Sequence, residues 1–288
     1  MSAQSSLAEH TSAEAVIDLE KSYVLQNYGR YPVVLTRGSG CYLYDIEGKE
    51  YLDLISGIGV NALGHGHPRV VEAIRDQAEK LIHLSNLYFS EFQGPLAKRL
   101  AEMSGLQRTF FANSGAETVE GAIKMIRSHG RKRSPVRTGI LTLENSFHGR
   151  TIGAISLTGQ PKYRKDFEPL LEGPVYIQPN DIAAMEAAFA EGNLAGVMLE
   201  CVQGEGGVYP LDEAFVRRAR ELCDEHDALL VFDEIQCGLG RTGKYFHYLW
   251  YCPAVLPDVV VTAKPLGAGL PIGAIIANEK AAATIAPG

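Results

Sequence analysis

The chain has 288 residues, of which 46% are hydrophobic and 21% charged, and its formal net charge is −7. This is globular usage, which excludes a wholly disordered or fibrous chain and allows one large domain or two smaller ones. The negative balance argues against a nucleic-acid partner. No apolar run reaches the roughly 18 residues of a membrane span, and the five widely spaced cysteines without a C-x-x-C suit free thiols in a reducing cytoplasm.

Residues 1–11 read as a flexible tail, and no basic segment followed by an apolar core marks a secretory signal. Residues 13–25 have helical periodicity. Three short β-like runs follow at 32–36, 41–45 and 51–54, separated by Gly38-Ser39-Gly40 and Glu47-Gly48-Lys49, and predict a small antiparallel meander. A glycine-rich loop covers 57–66, and Pro68 opens a helix to about Ile82. From Gly94 the rhythm changes. Helical patterns at 94–103, 116–128, 182–190 and 213–226 alternate with strand patterns at 108–112, 139–143, 175–177, 196–200, 228–233, 259–262 and 273–277. Apolar strands such as Leu229-Leu230-Val231-Phe232 predict an α/β fold, a mostly parallel sheet with helices on both faces. The basic residues Arg131, Lys132, Arg133 and Arg137 read as a solvated loop after a helix.

Ligands of such sheets sit at the carboxyl ends of the strands. The segments 113–116, 145–150, 200–207, 233–243 and 263–269 are therefore expected to line one crevice. Ser114-Gly115-Ala116 ends a strand and opens a helix, so it reads either as a plain serine N-cap or as an anion cradle of N–H groups and a hydroxyl. Asp233 ends an apolar strand, where a poorly solvated carboxylate needs a cation or several donors. Lys264 also ends an apolar strand, beside glycines. Either it reaches to the surface or its desolvated amine serves as a Schiff-base nucleophile. Gly238-Leu239-Gly240-Arg241-Thr242-Gly243 matches G-x-G-x-x-G, but it neither follows its strand at once nor opens an amphipathic helix, so a dinucleotide site is discounted. His65 and His67 lack carboxylates or cysteines at ligand spacing, and no metal is expected. An anion cradle, a carboxylate and a lysine at the strand ends of one sheet are the set that pyridoxal phosphate asks for, with its phosphate, ring nitrogen and aldehyde.

The runs at 57–65, 111–117, 146–151 (Ser146-Phe147-His148-Gly149-Arg150-Thr151), 203–207 (Gln203-Gly204-Glu205-Gly206-Gly207), 232–243 and 263–267 resemble the class III pyridoxal-phosphate-dependent aminotransferases of fold type I, nearest to the branch that uses N-acetylornithine. The resemblance implies that Lys264 is the catalytic lysine and that Asp233 pairs with the pyridinium nitrogen. It puts Gln236 near the phenolic oxygen, Phe147 on the ring face, and Ser114, Gly115 and Ala116 on the phosphate. Arg150 would take a substrate carboxylate, and Glu205 would pair with an arginine from a C-terminal part. The function implied is transfer of the δ-amino group of N-acetylornithine to 2-oxoglutarate, in arginine biosynthesis, by a cytoplasmic homodimer. The alternatives are 4-aminobutyrate, ornithine or succinylornithine as donor, or an inactive fragment. By the same resemblance, residues 12–66 would be the N-terminal part of a small domain and residues 67–288 the large cofactor domain. The family continues past Gly288, so a C-terminal truncation lacking the rest of the small domain is expected, with weak cofactor binding.

Overall fold

The apolar runs of the second half all become strands of one sheet. A computed structural model describes residues 12–251 and 254–287, so the expected tail at 1–11 and Cys252 lie outside the described residues. The chain divides into two units, the first ending at His83 and the second beginning at Leu84.

The first unit holds helix α1 (Ala13–Tyr23), strands β1 (Leu35–Ser39), β2 (Tyr42–Asp45) and β3 (Glu50–Leu52), the helical turn α2 (Ser56–Gly59) and helix α3 (Pro68–Ala78). The strands form an antiparallel sheet in the order β1-β2-β3. The expected first strand at 32–36 is displaced to 35–39. Pairing of Gly38 with Leu43 and of Ser39 with Tyr42 sets its ends, whereas the Val33-Val34-Leu35 run that suggested a strand lies mostly before it. The turn α2 runs through left-handed backbone at Ser56, Gly57, Ile58 and Gly59, which is strained for a β-branched residue such as Ile58. His65 Nε2 lies 2.7 Å from Asp53 Oδ2, and a backbone bridge between His65 and Gly40 closes the loop. His65 is thus a structural histidine.

The second unit contains α4 (Gln93–Ser104), β4 (Arg108–Ala112), α5 (Gly115–Arg131), β5 (Gly139–Leu143), α6 (Ile152–Leu157), α7 (Pro161–Arg164), β6 (Pro174–Ile177), α8 (Ile182–Ala190), β7 (Leu194–Leu199), a hairpin of β8 (Val202–Gln203) and β9 (Tyr209–Pro210), α9 (Glu213–Glu225), β10 (Leu229–Asp233), β11 (Val259–Thr262), β12 (Gly273–Ala277) and α10 (Glu279–Ala282). Seven strands make a mixed sheet in the order β4-β12-β11-β10-β7-β5-β6. Only β12 runs against its two neighbours; the other pairs are parallel. Successive strand residues enter opposite cores. Leu230, Phe232, Val197 and Leu199 pack with α8 and α9 through Phe189 and Phe215. Leu229, Val231, Met198 and Ile275 pack with α5 through Val119, Ala122 and Ile126. Both faces of the five inner strands β12, β11, β10, β7 and β5 are covered, so these strands carry no polar alternation, whereas the edge strands β4 and β6 are only partly buried. Among the described residues, no helix is long and apolar enough to cross a membrane.

Candidate active site

The five strand-end loops meet. From the loop after β5, Phe147 N donates to Glu200 Oε2 at 2.8 Å and His148 Nδ1 lies 2.7 Å from Asp233 Oδ2. Tyr163 OH donates to Glu205 Oε1 at 2.7 Å. A Cβ at Gly204 would fall on the Gln236 side-chain amide, so the loop after β7 lies directly against the loop after β10 and a larger residue there would displace Gln236.

Lys264 leaves β11 on a 3-10 turn and is half-buried. Burial pushes its ammonium pKa down, Asp233, Glu200 and Glu205 pull it back up, and Arg241 adds to the lowering; the net shift is downward. A larger share of neutral amine follows, which is what a nucleophilic lysine needs.

Asp233 is 4% exposed and would be costly there as a lone anion. Ile235 N donates to its Oδ1 at 3.1 Å, and the fully buried His148 holds its Oδ2. On its other side His148 Nε2 lies 3.3 Å from Thr142 Oγ1, which donates to Leu157 O. Burial alone would lower the His148 pKa, but the bond to Asp233, with the nearby Glu200, more than reverses it. His148 Nδ1 and Ile235 N together fix the orientation of the Asp233 carboxylate, which is suited to pair with a protonated ring nitrogen.

At the head of α5, Ser114 Oγ accepts from Glu117 N at 3.2 Å, and Glu117 returns its carboxylate to Asn113 N at 2.7 Å. This is a capping-box-like arrangement, the carboxylate returning to the residue before the N-cap, and Ser114 is the N-cap. It leaves the anion role open as well, because the Ser114 O–H can still donate and the N–H groups of Gly115 and Ala116 have no intrahelical acceptor.

Two further carboxylates are buried near Asp233. Desolvation raises the pKa of Glu200. It pushes Glu234 up to about 7, against the donors that pull it down, His247 N, Tyr248 N and the Cys237 thiol. Glu234 thereby ties down the loop that carries the discounted glycine run. That run closes on itself through Gly243 N to Gly240 O and leads into a 3-10 turn, not a helix. Cys41, Cys201, Cys223 and Cys237 are free thiols, and no metal-binding group of three occurs among the described residues.

Of the expected site residues, Phe147, Arg150 and Glu205 come together around Tyr163. The Arg150 guanidinium carbon lies 4.7 Å from the Tyr163 ring centre, and the Phe147 ring meets Tyr163 edge-on at 5.7 Å. Sequence reasoning assigned no role to His148, Glu200 or Tyr163. Their partners lie 85, 53 and 42 positions away, and no local spacing signals them. The assembled donor set fits a molecule with an anionic end, a basic ring nitrogen and a carbonyl.

Comparison with known proteins gives the same class. The family model described as aminotransferase class-III matches residues 23–288. An acetylornithine aminotransferase of Methanocaldococcus jannaschii is 50% identical over 278 residues, 96% of this chain and 69% of that protein. The N-acetylornithine aminotransferase of Stenotrophomonas maltophilia superposes with a TM-score of 0.78 at 43% identity, covering 94% of this chain and 67% of that one. An ornithine aminotransferase of Toxoplasma gondii, with pyridoxal phosphate partly occupying its active site, superposes with a TM-score of 0.92 at 33% identity, covering 99% and 68%. The chain thus spans about two thirds of the length of these relatives.

Proposed function

The chain belongs to the class-III aminotransferases, a pyridoxal-phosphate-dependent family, and we propose that it moves the δ-amino group of N-acetylornithine to 2-oxoglutarate. The observation that carries this reading is the convergence of Lys264, the Asp233–His148 pair and the head of α5 at one end of the sheet. The names and identities of the relatives support the donor.

When bound, the cofactor supplies an aldehyde for amines and a protonated ring that takes up the electron pair released at the amine-bearing carbon. Lys264 Nζ would hold that aldehyde and would carry the proton to and from the amine-bearing carbon. Asp233 would pair with the ring nitrogen and favour its protonated form, and Phe147 would cover a ring face. Ser114 with the Gly115 and Ala116 N–H groups would hold the phosphate, and Gln236 would lie near the phenolic oxygen. Arg150 takes a substrate carboxylate in a bidentate fork, with Glu205 beside it. The reading includes a cytoplasmic location and a homodimer, and the exposed apolar run Leu87, Tyr88 and Phe89 with Phe92 supports the association.

A visible absorption spectrum of the chain with pyridoxal phosphate tests the proposal. A band that is absent in Lys264→Ala and bleaches with N-acetylornithine is the expected result. Bleaching only with ornithine or 4-aminobutyrate would overturn the donor, and no Lys264-dependent band would overturn the assignment of the site.

A further inference from the structure

The short helix α6 backs the loop that carries Phe147 and His148, and it borrows its cap from another helix. Its own N-cap residue, Thr151, makes no side-chain cap. Instead Glu120, on α5, sets Oε1 across the head of α6, where it accepts from Gly153 N at 3.0 Å, from Ala154 N at 3.2 Å and from the Thr151 hydroxyl at 2.5 Å. Ala116 and Glu120 are one turn apart and share a face of α5. Gly149, at φ +133°, lies against that face too: an added Cβ would stand 3.1 Å from the Ala116 Cβ. The tail of α6 reaches His148. Thr158 Oγ1 accepts from His148 N at 3.0 Å, and Leu157 O accepts at 2.9 Å from Thr142 Oγ1, which lies 3.3 Å from His148 Nε2. His148 Nδ1 in turn meets Asp233 Oδ2 at 2.7 Å.

A continuous set of bonds thus runs from Glu120 through α6 and His148 to Asp233. The Gly153 and Ala154 N–H groups stand in the first turn of α6, where a helix has no acceptor of its own. A helix of six residues also has little stability by itself, so its place depends on what ties it down. A carboxylate that takes two such N–H groups and a hydroxyl is a strong tie. We infer that Glu120 is a positioning residue for the ring end of the cofactor: by fixing α6 it fixes His148, and through His148 the aim of the Asp233 carboxylate at the ring nitrogen. The phosphate end of the proposed site uses other atoms, the Ser114 hydroxyl and the N–H groups of Gly115 and Ala116. The inference rests on the reading of Asp233 as the partner of the ring nitrogen.

Pyridoxal has the ring and the aldehyde but no phosphate, so it separates the two ends. Affinities for pyridoxal and for pyridoxal phosphate are read from the Lys264-dependent visible band, without denaturant, on chains that are folded. The urea midpoint of the cofactor-free chain is read separately. Glu120→Ala is expected to weaken both ligands in parallel by about tenfold, the scale of a lost hydrogen bond to a charged group. Glu120→Gln keeps an acceptor oxygen over α6 and is expected to hold both affinities within about threefold of the parent. Thr151→Val changes an exposed residue, keeps the fold and removes one of the donors, and it is expected to give a smaller loss that is again parallel. A role confined to capping would lower the urea midpoint and leave both affinities unchanged, which overturns the inference. Loss for pyridoxal phosphate alone overturns it too, because Glu120 would then serve the phosphate end. Both of these results leave the reading of the site intact, since the parent still shows the band. No Lys264-dependent band in the parent overturns that reading and the inference with it.

Discussion

His148 Nδ1 meets, at 2.7 Å, a carboxylate that the strand has carried out of water. Removing it by His148→Ala strands Asp233 at 4% exposure. Breaking a buried pair in this way costs about 3 kcal/mol, so the variant is expected to unfold at clearly lower urea concentration. It is also expected to bind pyridoxal phosphate more weakly, read from fluorescence titration. Equal midpoints for variant and parent would refute this account of the pair. Asp233 and Lys264 were legible in the sequence because a charged residue closing an apolar run is conspicuous. His148 was legible only as a letter in a motif, because what gives it a role is a contact with another strand end.

At the scale of elements, the capping arrangement at α5 predicts two separable losses. Ser114→Ala removes the acceptor for Glu117 N and is expected to lower stability by about 1 kcal/mol in chemical denaturation. In the proposed site it also removes a hydroxyl that would hold the phosphate, so affinity for pyridoxal phosphate should drop while that for pyridoxal, which has no phosphate, should not. A parallel drop in both would mean that the serine only caps. The five inner sheet strands were readable from their apolar runs, since burial on both faces leaves one strong signal. The short helix α6 was missed because Ile152–Leu157 is six residues long with Ala154, Ile155, Ser156 and Leu157 all buried, so it has no polar stripe to reveal a helical period. The first meander strand was misplaced because backbone pairing, not hydrophobicity, sets its limits.

For the whole molecule, the buried acids set a pH dependence of stability. Glu234 has a folded pKa of about 7 against an ordinary 4.5, and Glu200 is shifted in the same direction. The folded chain therefore holds protons that the unfolded chain has already released between these values. The stability this contributes is present below about 4.5 and is lost as the pH rises through about 7. The melting temperature of the cofactor-free chain is expected to decline across that interval, and Glu200→Gln should flatten the decline. A melting temperature that climbs steadily from pH 5 to 7.5 in the parent would contradict it. The sheet order has a consequence of a different kind. β12 lies between β4 and β11, and its register joins Gly273 to Ala112, more than half the chain earlier. As the chain leaves the ribosome, β4 has no strand to join until nearly every other element has been made. The head of α5, which follows β4 directly, is thus among the first segments synthesised in this unit and among the last to be locked in place.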